Sequence, residues 1–219
     1  MTITAVGFDL DETLAVPTRD RTAILSDATE RADAPSLTRE AYLDVHGRHL
    51  TSESRTPIFA ELLSGHETDT DPETLAETYR REIADALVPI PGAEAFLQRL
   101  RSEYRVGLLT NGPRVAQRDK LATLGWTDAF DAALVTGDLD AGKPDSAAFA
   151  ALLDALGSDA GATAYVGDDV DADIAGADAA GLVPIQVLYE GGPEPSSRAA
   201  AHVRREDLVD RLPELLDAF

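Results

Sequence analysis

The sequence predicts an α/β fold, a doubly wound parallel sheet with a helical domain inserted after its first strand. Three observations carry that prediction. Beyond residue 92, short apolar runs alternate with helix-period patterns, the order that builds right-handed βαβ units. Residues 18–88 instead carry amphipathic helical patterns and almost no strand signal. Acidic and polar clusters directly follow the apolar runs, and a parallel sheet binds its ligands outside the carboxyl ends of its strands.

Residues 3–8, ITAVGF, form an apolar run that stops at Asp9-Leu10-Asp11-Glu12-Thr13, as a buried strand delivering acids at its end would. Helical patterns follow near 19–32, 38–50, 54–64 and 72–87. The last has clear start signals: Asp71 as N-cap, Pro72 at the first helical position and Glu73 at the positive helix end. Leu75, Tyr79, Ile83 and Leu87 recur at spacings of four and make one apolar face. Val88-Pro89-Ile90-Pro91-Gly92 reads as a linker. A helix near 93–102 leads to a strand at 105–110, and a helix at 113–124 closes at Gly125 before a strand at 132–136. A helix at 145–156 closes at Gly157, followed by a strand at 162–167, a helix at 172–180 closing at Gly181, and a strand at 183–188. Residues 189–197 read as a loop, and 205–218 as a final helix with Pro213 a candidate break. The expected division is a core of residues 1–14 and 92–219 and a helical domain of residues 15–91.

The 219 residues include 40 acidic and 19 basic side chains, a formal charge of −21. The charge is spread along the chain. It argues against nucleic acid, whose binding relies on Lys and Arg neutralising phosphate, and against an anionic membrane surface. No apolar run approaches the ~18 residues of a membrane span. The first residues lack the basic start of a secretory signal, so a cytoplasmic protein is expected. The absence of cysteine removes a disulfide scaffold, a thiolate metal site and a cysteine nucleophile. Only two lysines, Lys120 and Lys143, stand against 17 arginines. At about 1 M salt the Debye length shrinks to ~3 Å and self-repulsion largely vanishes, so this charge pattern resembles that of proteins from salt-accumulating halophiles.

Four segments fall after predicted strands: Asp9-Leu10-Asp11-Glu12-Thr13, Thr110-Asn111-Gly112, Lys143-Pro144, and Gly167-Asp168-Asp169 with Asp173. Clustered carboxylates raise one another's pKa and need a cation at neutral pH. A hard divalent ion such as Mg²⁺ suits oxygen ligands, and such a site draws an anionic substrate, most simply a phosphoryl group. In these residues the chain resembles the haloacid dehalogenase-like (HAD) hydrolases, most of which are phosphatases. The family's DxDx[TV] is DLDET here, its hydroxyl residue after a strand is Thr110 in LLTNG, and its lysine is Lys143 in AGKPDSAAF. Its GDxxxxD with a downstream GAxxAG is GDDVDADIAGADAAG. The four motifs occur in order over essentially the whole chain, which makes the set far more specific than any one of them.

The resemblance implies a Rossmann-like core, a helical cap of the C1 type, Mg²⁺ as cofactor and a small phosphorylated metabolite as substrate. It makes Asp9 the nucleophile that forms an aspartyl-phosphate, and Asp11 the acid for the leaving oxygen and then the base for water. Thr13 would help position the turn between them and count among the phosphate-binding residues. Thr110 and Asn111 would hydrogen-bond the phosphoryl oxygens, and Lys143 would bring positive charge to them and to Asp9. Asp168 would ligate the metal with Asp9 and the main chain at Asp11, supported by Asp173 or Asp169. Asp171 and the remaining carboxylate of that run would face solvent or cap a helix. Lys120 stands outside every motif and is expected at the surface. His46, Arg48, His49 and Arg55 in the inserted helices, and Arg114 after the second motif, are candidates to meet substrate.

Other chemistries of the family are weighed against the same residues. The name-giving dehalogenases lack the second aspartate, which is present as Asp11. Phosphonatases use a cap lysine, and residues 14–92 contain none. Transfer of the β-phosphoglucomutase type and a non-catalytic binding protein on the same fold stay as alternatives, the filled catalytic positions speaking against the second. Glu12 stands where phosphoglycolate phosphatase and phosphoglucomutase relatives commonly have glycine, which leaves the substrate open, as the oligomeric state is.

Overall fold

The computed structural model describes residues 2–219. The chain opens with β1 (Ala5–Phe8) and β2 (Ala15–Pro17), then forms α1 (Arg21–Arg31), α2 (Arg39–Gly47), α3 (Thr56–Leu63) and α4 (Pro72–Ala86). It returns through β3 (Leu87–Pro89) to α5 (Ala93–Leu100), β4 (Arg105–Thr110), α6 (Arg114–Thr123) and β5 (Ala132–Val135). The last part comprises α7 (Ser146–Leu156), β6 (Thr163–Gly167), α8 (Gly176–Ala179), β7 (Val183–Leu188), β8 (Ala201–Arg204) and α9 (Leu208–Leu216). Six strands make one parallel sheet in the order β5-β4-β1-β6-β7-β8. This is the predicted α/β, Rossmann-like architecture.

Period-two alternation divides β1 between two cores. Val6 and Phe8 pack with Phe96 and Leu97 of α5 and Leu208 and Leu212 of α9. Ala5 lies in the opposite layer with Phe149 and Leu152 of α7 and Ala177 of α8. Gly7 and Gly107 face α7 so closely that a Cβ at either would collide with Leu152. The connection after β1 leaves to one face of the sheet and the connection after β6 to the other. The crevice between these two neighbours is therefore a topological switch point, where α/β sheets bind ligands.

The four inserted helices carry a core of their own. Ile24, Leu25, Tyr42, Phe59, Leu75, Tyr79 and Ile83 pack together, with ring centroids of Tyr42 and Tyr79 5.1 Å apart. Asp71 caps α4 by accepting from Glu73 N and Thr74 N, as its sequence position predicts. The helices are seated on the strand ends: Thr136 Oγ1 donates to Leu50 O (2.9 Å) and Arg114 N to Ser52 O (3.0 Å).

Four local features differ from expectation. Residues 88–89, read as linker, belong to β3, which pairs antiparallel with β2, so a two-stranded ribbon joins the helices to the sheet. Three residues per strand are too few to show a period. β8 falls between the expected loop of 189–197 and the final helix, where the sequence carries no strand signal: only Val203 of its four residues is buried, as suits a short edge strand. Pro213 does not break α9. Its missing N–H would have bonded Val209 O, and Arg99 Nη2 donates to that carbonyl instead (2.9 Å). The helix expected near 172–180 begins as a π-helical turn over Val170–Ala175, with Ile174 N donating to Asp169 O. No helix among the described residues is long and apolar enough to cross a membrane.

Candidate active site

The site grows from the end of β1. Asp9 N still donates to Val166 O, and then the chain turns, Leu10 O accepting from both Leu14 N and Ala15 N. Glu12 takes a left-handed φ of 59°, which costs a residue with a Cβ roughly 1–2 kcal/mol. Its carboxylate is held by Arg21 Nε (3.1 Å) and Arg205 Nη1 (2.9 Å). The turn parts the two aspartates: both line one cavity of about 540 Å³, each with partners of its own.

Asp9 belongs to a buried acidic centre. Oxygens of Asp9, Asp168 and Asp173 lie within 4.8 Å of one another. Lys143 reaches into them, and its three N–H donors are all used: on Asp9 Oδ1 (2.7 Å), Asp173 Oδ1 (2.7 Å) and Tyr165 Oη (2.9 Å). Tyr165 in turn donates to Leu109 O (2.8 Å). Asp168 accepts from Thr13 Oγ1 (3.5 Å) and Tyr189 Oη (3.2 Å). A Cβ at Gly167 would lie 2.3 Å from Asp173 Oδ2, so glycine lets that carboxylate fold back against the end of β6. Asp169 turns away, its Oδ1 accepting from Asp171 N and Ala172 N at the head of the π-helical turn.

Asp11 is the second centre. Lys120 Nζ donates to its Oδ2 (2.6 Å), Arg21 Nη2 to its Oδ1 (2.9 Å) and Gln117 Nε2 to Oδ2 (3.1 Å). Gln117 also donates to Thr110 Oγ1 (2.6 Å). Lys120 thus corrects the surface expectation: it is 4% exposed. Gln117 and Lys120 are three apart on α6, whose first turn follows the second motif, so one helix face covers the site. The scarcity that singled out Lys143 applied equally to Lys120, and both of the chain's lysines line this cavity. Asn111, expected on the phosphoryl oxygens, spends its amide on the main chain of Lys143, donating to its carbonyl (2.8 Å) and accepting from its N–H (2.9 Å).

The electrostatics of the two centres are opposite. Burial, with Asp173 and Asp11 nearby, pushes the Asp9 carboxyl up to about 7 against the pull of Lys143. Burial, then Asp173 and Asp9, pushes Asp168 up to about 8. Burial also opposes charge on Asp11, but Lys120 and Arg21 outweigh it and hold that carboxyl well below the usual range. Three ionised carboxylates against one ammonium leave two buried negative charges in the first centre. An all-oxygen donor set with that surplus fits one hard divalent cation.

Of the candidates on the inserted helices, His46 and Arg55 line the cavity beside Arg39, Tyr42 and Tyr79. Arg48 and His49 are instead engaged by Glu61, and Arg114 by Glu53. Tyr189, Arg21 and Arg205 escaped the sequence reading because each reaches the site from a segment with no motif of its own, and Tyr165 because it lies inside the apolar run of β6, ahead of the motif at that strand's end.

A family profile for haloacid dehalogenase-like hydrolases matches residues 3–181. The chain belongs to that family. This HAD protein is 32% identical to the ribulose-1,5-bisphosphate 5-phosphatase of Halopiger xanaduensis, covering 98% of both chains. It is 31% identical to a phosphoglycolate phosphatase of Cereibacter sphaeroides, covering 96% of both. Among solved structures, an HAD phosphatase from Thermococcus onnurineus superposes with a TM-score of 0.72 at 25% identity, over 98% of each chain. Like these curated relatives, the HAD protein is an enzyme of the phosphatase type.

Proposed function

We propose that this HAD phosphatase hydrolyses a small phosphorylated metabolite through a phosphoenzyme on Asp9, with Mg²⁺ as cofactor. One observation carries the reading: Asp9 sits at the switch point among Lys143, Asp168 and Asp173, while Asp11 beside it is held by a separate set of cations.

In this reading an Asp9 oxygen attacks phosphorus as the bond to the leaving oxygen breaks, and Asp11 supplies the proton that oxygen takes. Water then attacks the same phosphorus, the bond to Asp9 breaks, and Asp11 receives the water's proton. Lys120 and Arg21 favour ionised Asp11, the form that serves as base. A bound phosphoryl group brings negative charge beside it and raises its affinity for a proton, as the acid half requires. Lys143 holds Asp9 in place, Asn111 holds the Lys143 loop, and Thr110 and Gln117 present polar groups between the two centres. Asp9, Asp168 and Asp173 would hold the metal with the main chain at Asp11, leaving Asp169 as a helix cap. The ion would supply positive charge to the phosphoryl oxygens. The helices of residues 15–91 act as the cap that shuts water out. The names of the curated relatives support a metabolite-sized substrate, and the charge pattern supports a cytoplasm rich in salt.

Phosphate release from small esters in molar KCl, with Mg²⁺ or EDTA, tests the reaction. Release is expected only with Mg²⁺. Asp11→Asn is expected to lower kcat/KM, which reports phosphoryl transfer to Asp9 and not the later attack of water, by ~10²–10⁴-fold for alkyl phosphates, and far less for p-nitrophenyl phosphate, whose leaving group needs no proton. An equal loss on both esters would remove Asp11 as the acid.

Metal binding has a second readout in stability. In an unfolded chain the carboxyls of Asp9 and Asp168 titrate near their ordinary 3.8. Between pH 5 and 8 the folded, metal-free protein thus holds protons the unfolded chain has lost, and its stability falls as pH rises. Mg²⁺ favours the ionised carboxylates, so its stabilisation is expected to be small at pH 5 and to reach about 5–10 °C in Tm at pH 8. Melting curves in EDTA and Mg²⁺ at both pH values check this; an equal gain at the two would separate the ion from these carboxylates.

A further inference from the structure

We infer that the wall of the cavity formed by the inserted helices is a second anion site, built on Arg55 with Arg39. The substrate then carries a phosphate or carboxylate besides the phosphoryl group it loses. The inference rests on the phosphatase reading and extends it to the substrate's other end.

Arg55 is 7% exposed, and its Nε and Nη1 have no hydrogen-bond partner. Buried donors are nearly always paired, and a buried cation is costly without a counter-charge. Among the described residues no acid makes an ion pair with Arg55, although acids outnumber bases by 40 to 19 and eleven other arginines have such a pair. The side chain is held in place, its guanidinium 5.2 Å from the centre of the Tyr79 ring. Arg39 lies beside it, donating to Tyr79 Oη (3.3 Å) with its guanidinium 5.2 Å from the Tyr42 ring, and it too forms no ion pair among the described residues. Both arginines line the cavity that holds Asp9.

The other cations of the cavity are already engaged, Lys143 with Asp9 and Asp173, Lys120 and Arg21 with Asp11. Arg55 and Arg39 stay available to a ligand. Burial, then Arg55, Lys120 and Arg39, pushes neighbouring His46 down to about 3, so its ring is neutral and this wall is positive through its arginines. A planar guanidinium with free N–H groups matches carboxylate and phosphate alike.

Two pairs of esters separate those anions. Phosphoglycolate is ethyl phosphate with a carboxylate for its methyl group, and ribose 1,5-bisphosphate is ribose 5-phosphate with a second phosphate. In molar KCl with Mg²⁺, wild type is expected to favour the doubly anionic member of at least one pair by ~10–100-fold in kcat/KM, and the pair affected tells carboxylate from phosphate. Arg55→Met is expected to bring that ratio close to one, and Arg55→Lys to restore part of it. Should Arg55→Met fail to fold, Arg39→Met reads the same ratio. A wild-type ratio near one in both pairs, or a ratio that survives the substitution, overturns the inference. Calorimetric binding of the same esters to Asp9→Asn reads the site without turnover. Preferential binding there, with no hydrolysis by wild type, keeps the anion site and removes the phosphatase reading. Hydrolysis with equal rates within both pairs does the reverse.

Discussion

Asp9→Asn is expected to abolish turnover, lowering kcat by at least ~10⁴-fold, while leaving the protein folded. The amide has the shape of the carboxylate but cannot displace an alkoxide from phosphorus. Its oxygen can still accept from Lys143 Nζ, which lies 2.7 Å from Asp9 Oδ1. The substitution also removes a charge from a centre where burial and neighbouring acids already disfavour it. In EDTA at pH 8 the variant is therefore expected to melt no lower than wild type, and Mg²⁺ to raise its Tm by less. Retained turnover within tenfold of wild type would remove Asp9 as nucleophile. A collapse in Tm would make the activity loss uninformative and would contradict the charge argument directly.

Lys143→Met is expected to cost both stability and activity. The ammonium is 2% exposed and is the cation bonded to Asp9 and Asp173 together. Removing one partner of a buried ion pair costs about 3–5 kcal/mol. For a chain of this size that corresponds to a fall in Tm of about 6–20 °C. The fall should shrink toward pH 5, where Asp9 and Asp168, pushed up to about 7 and 8, hold protons and need less neutralisation. Mg²⁺ is expected to restore stability more than activity, because a second cation can replace the charge of Lys143 but not its hydrogen bonds. A kcat loss of ~10²–10³-fold should persist with the metal bound. Lys120→Met should be milder in stability, since Arg21 also holds Asp11 and that carboxylate is a quarter exposed. Thermal melts of the three proteins in EDTA and Mg²⁺ check the order, and a Lys143→Met protein that melts with wild type would refute the assignment.

The fold was legible where local pattern and tertiary environment agree. Buried parallel strands are apolar on both faces, so β1, β4 and β7 stand out as runs, and two of them were read to the residue. Helix α4 announced itself through Asp71, Pro72 and a four-residue apolar repeat. The ribbon of β2 and β3 and the edge strand β8 could not be read this way. They are three or four residues long and half exposed, and their pairing partners decide them. Pro213 points the same way: a local rule predicts a break, and Arg99, 110 positions earlier than Val209, removes the reason for one.

The sequence by itself determined the α/β class and the motif residues that gather at the cavity, because those motifs sit at strand ends and strand ends are local. Asp9, Asp11, Thr110, Lys143 and Asp168 were named without any distance. Only the tertiary structure decided how those groups are shared out. It turned Asp11 away from the acidic trio toward Lys120 and Arg21, committed the Asn111 amide to the Lys143 main chain, and left Arg55 buried without an acid. Hydrogen bonds and ion pairs act over a few ångströms in space, and the residues they join here are up to 193 positions apart in the chain.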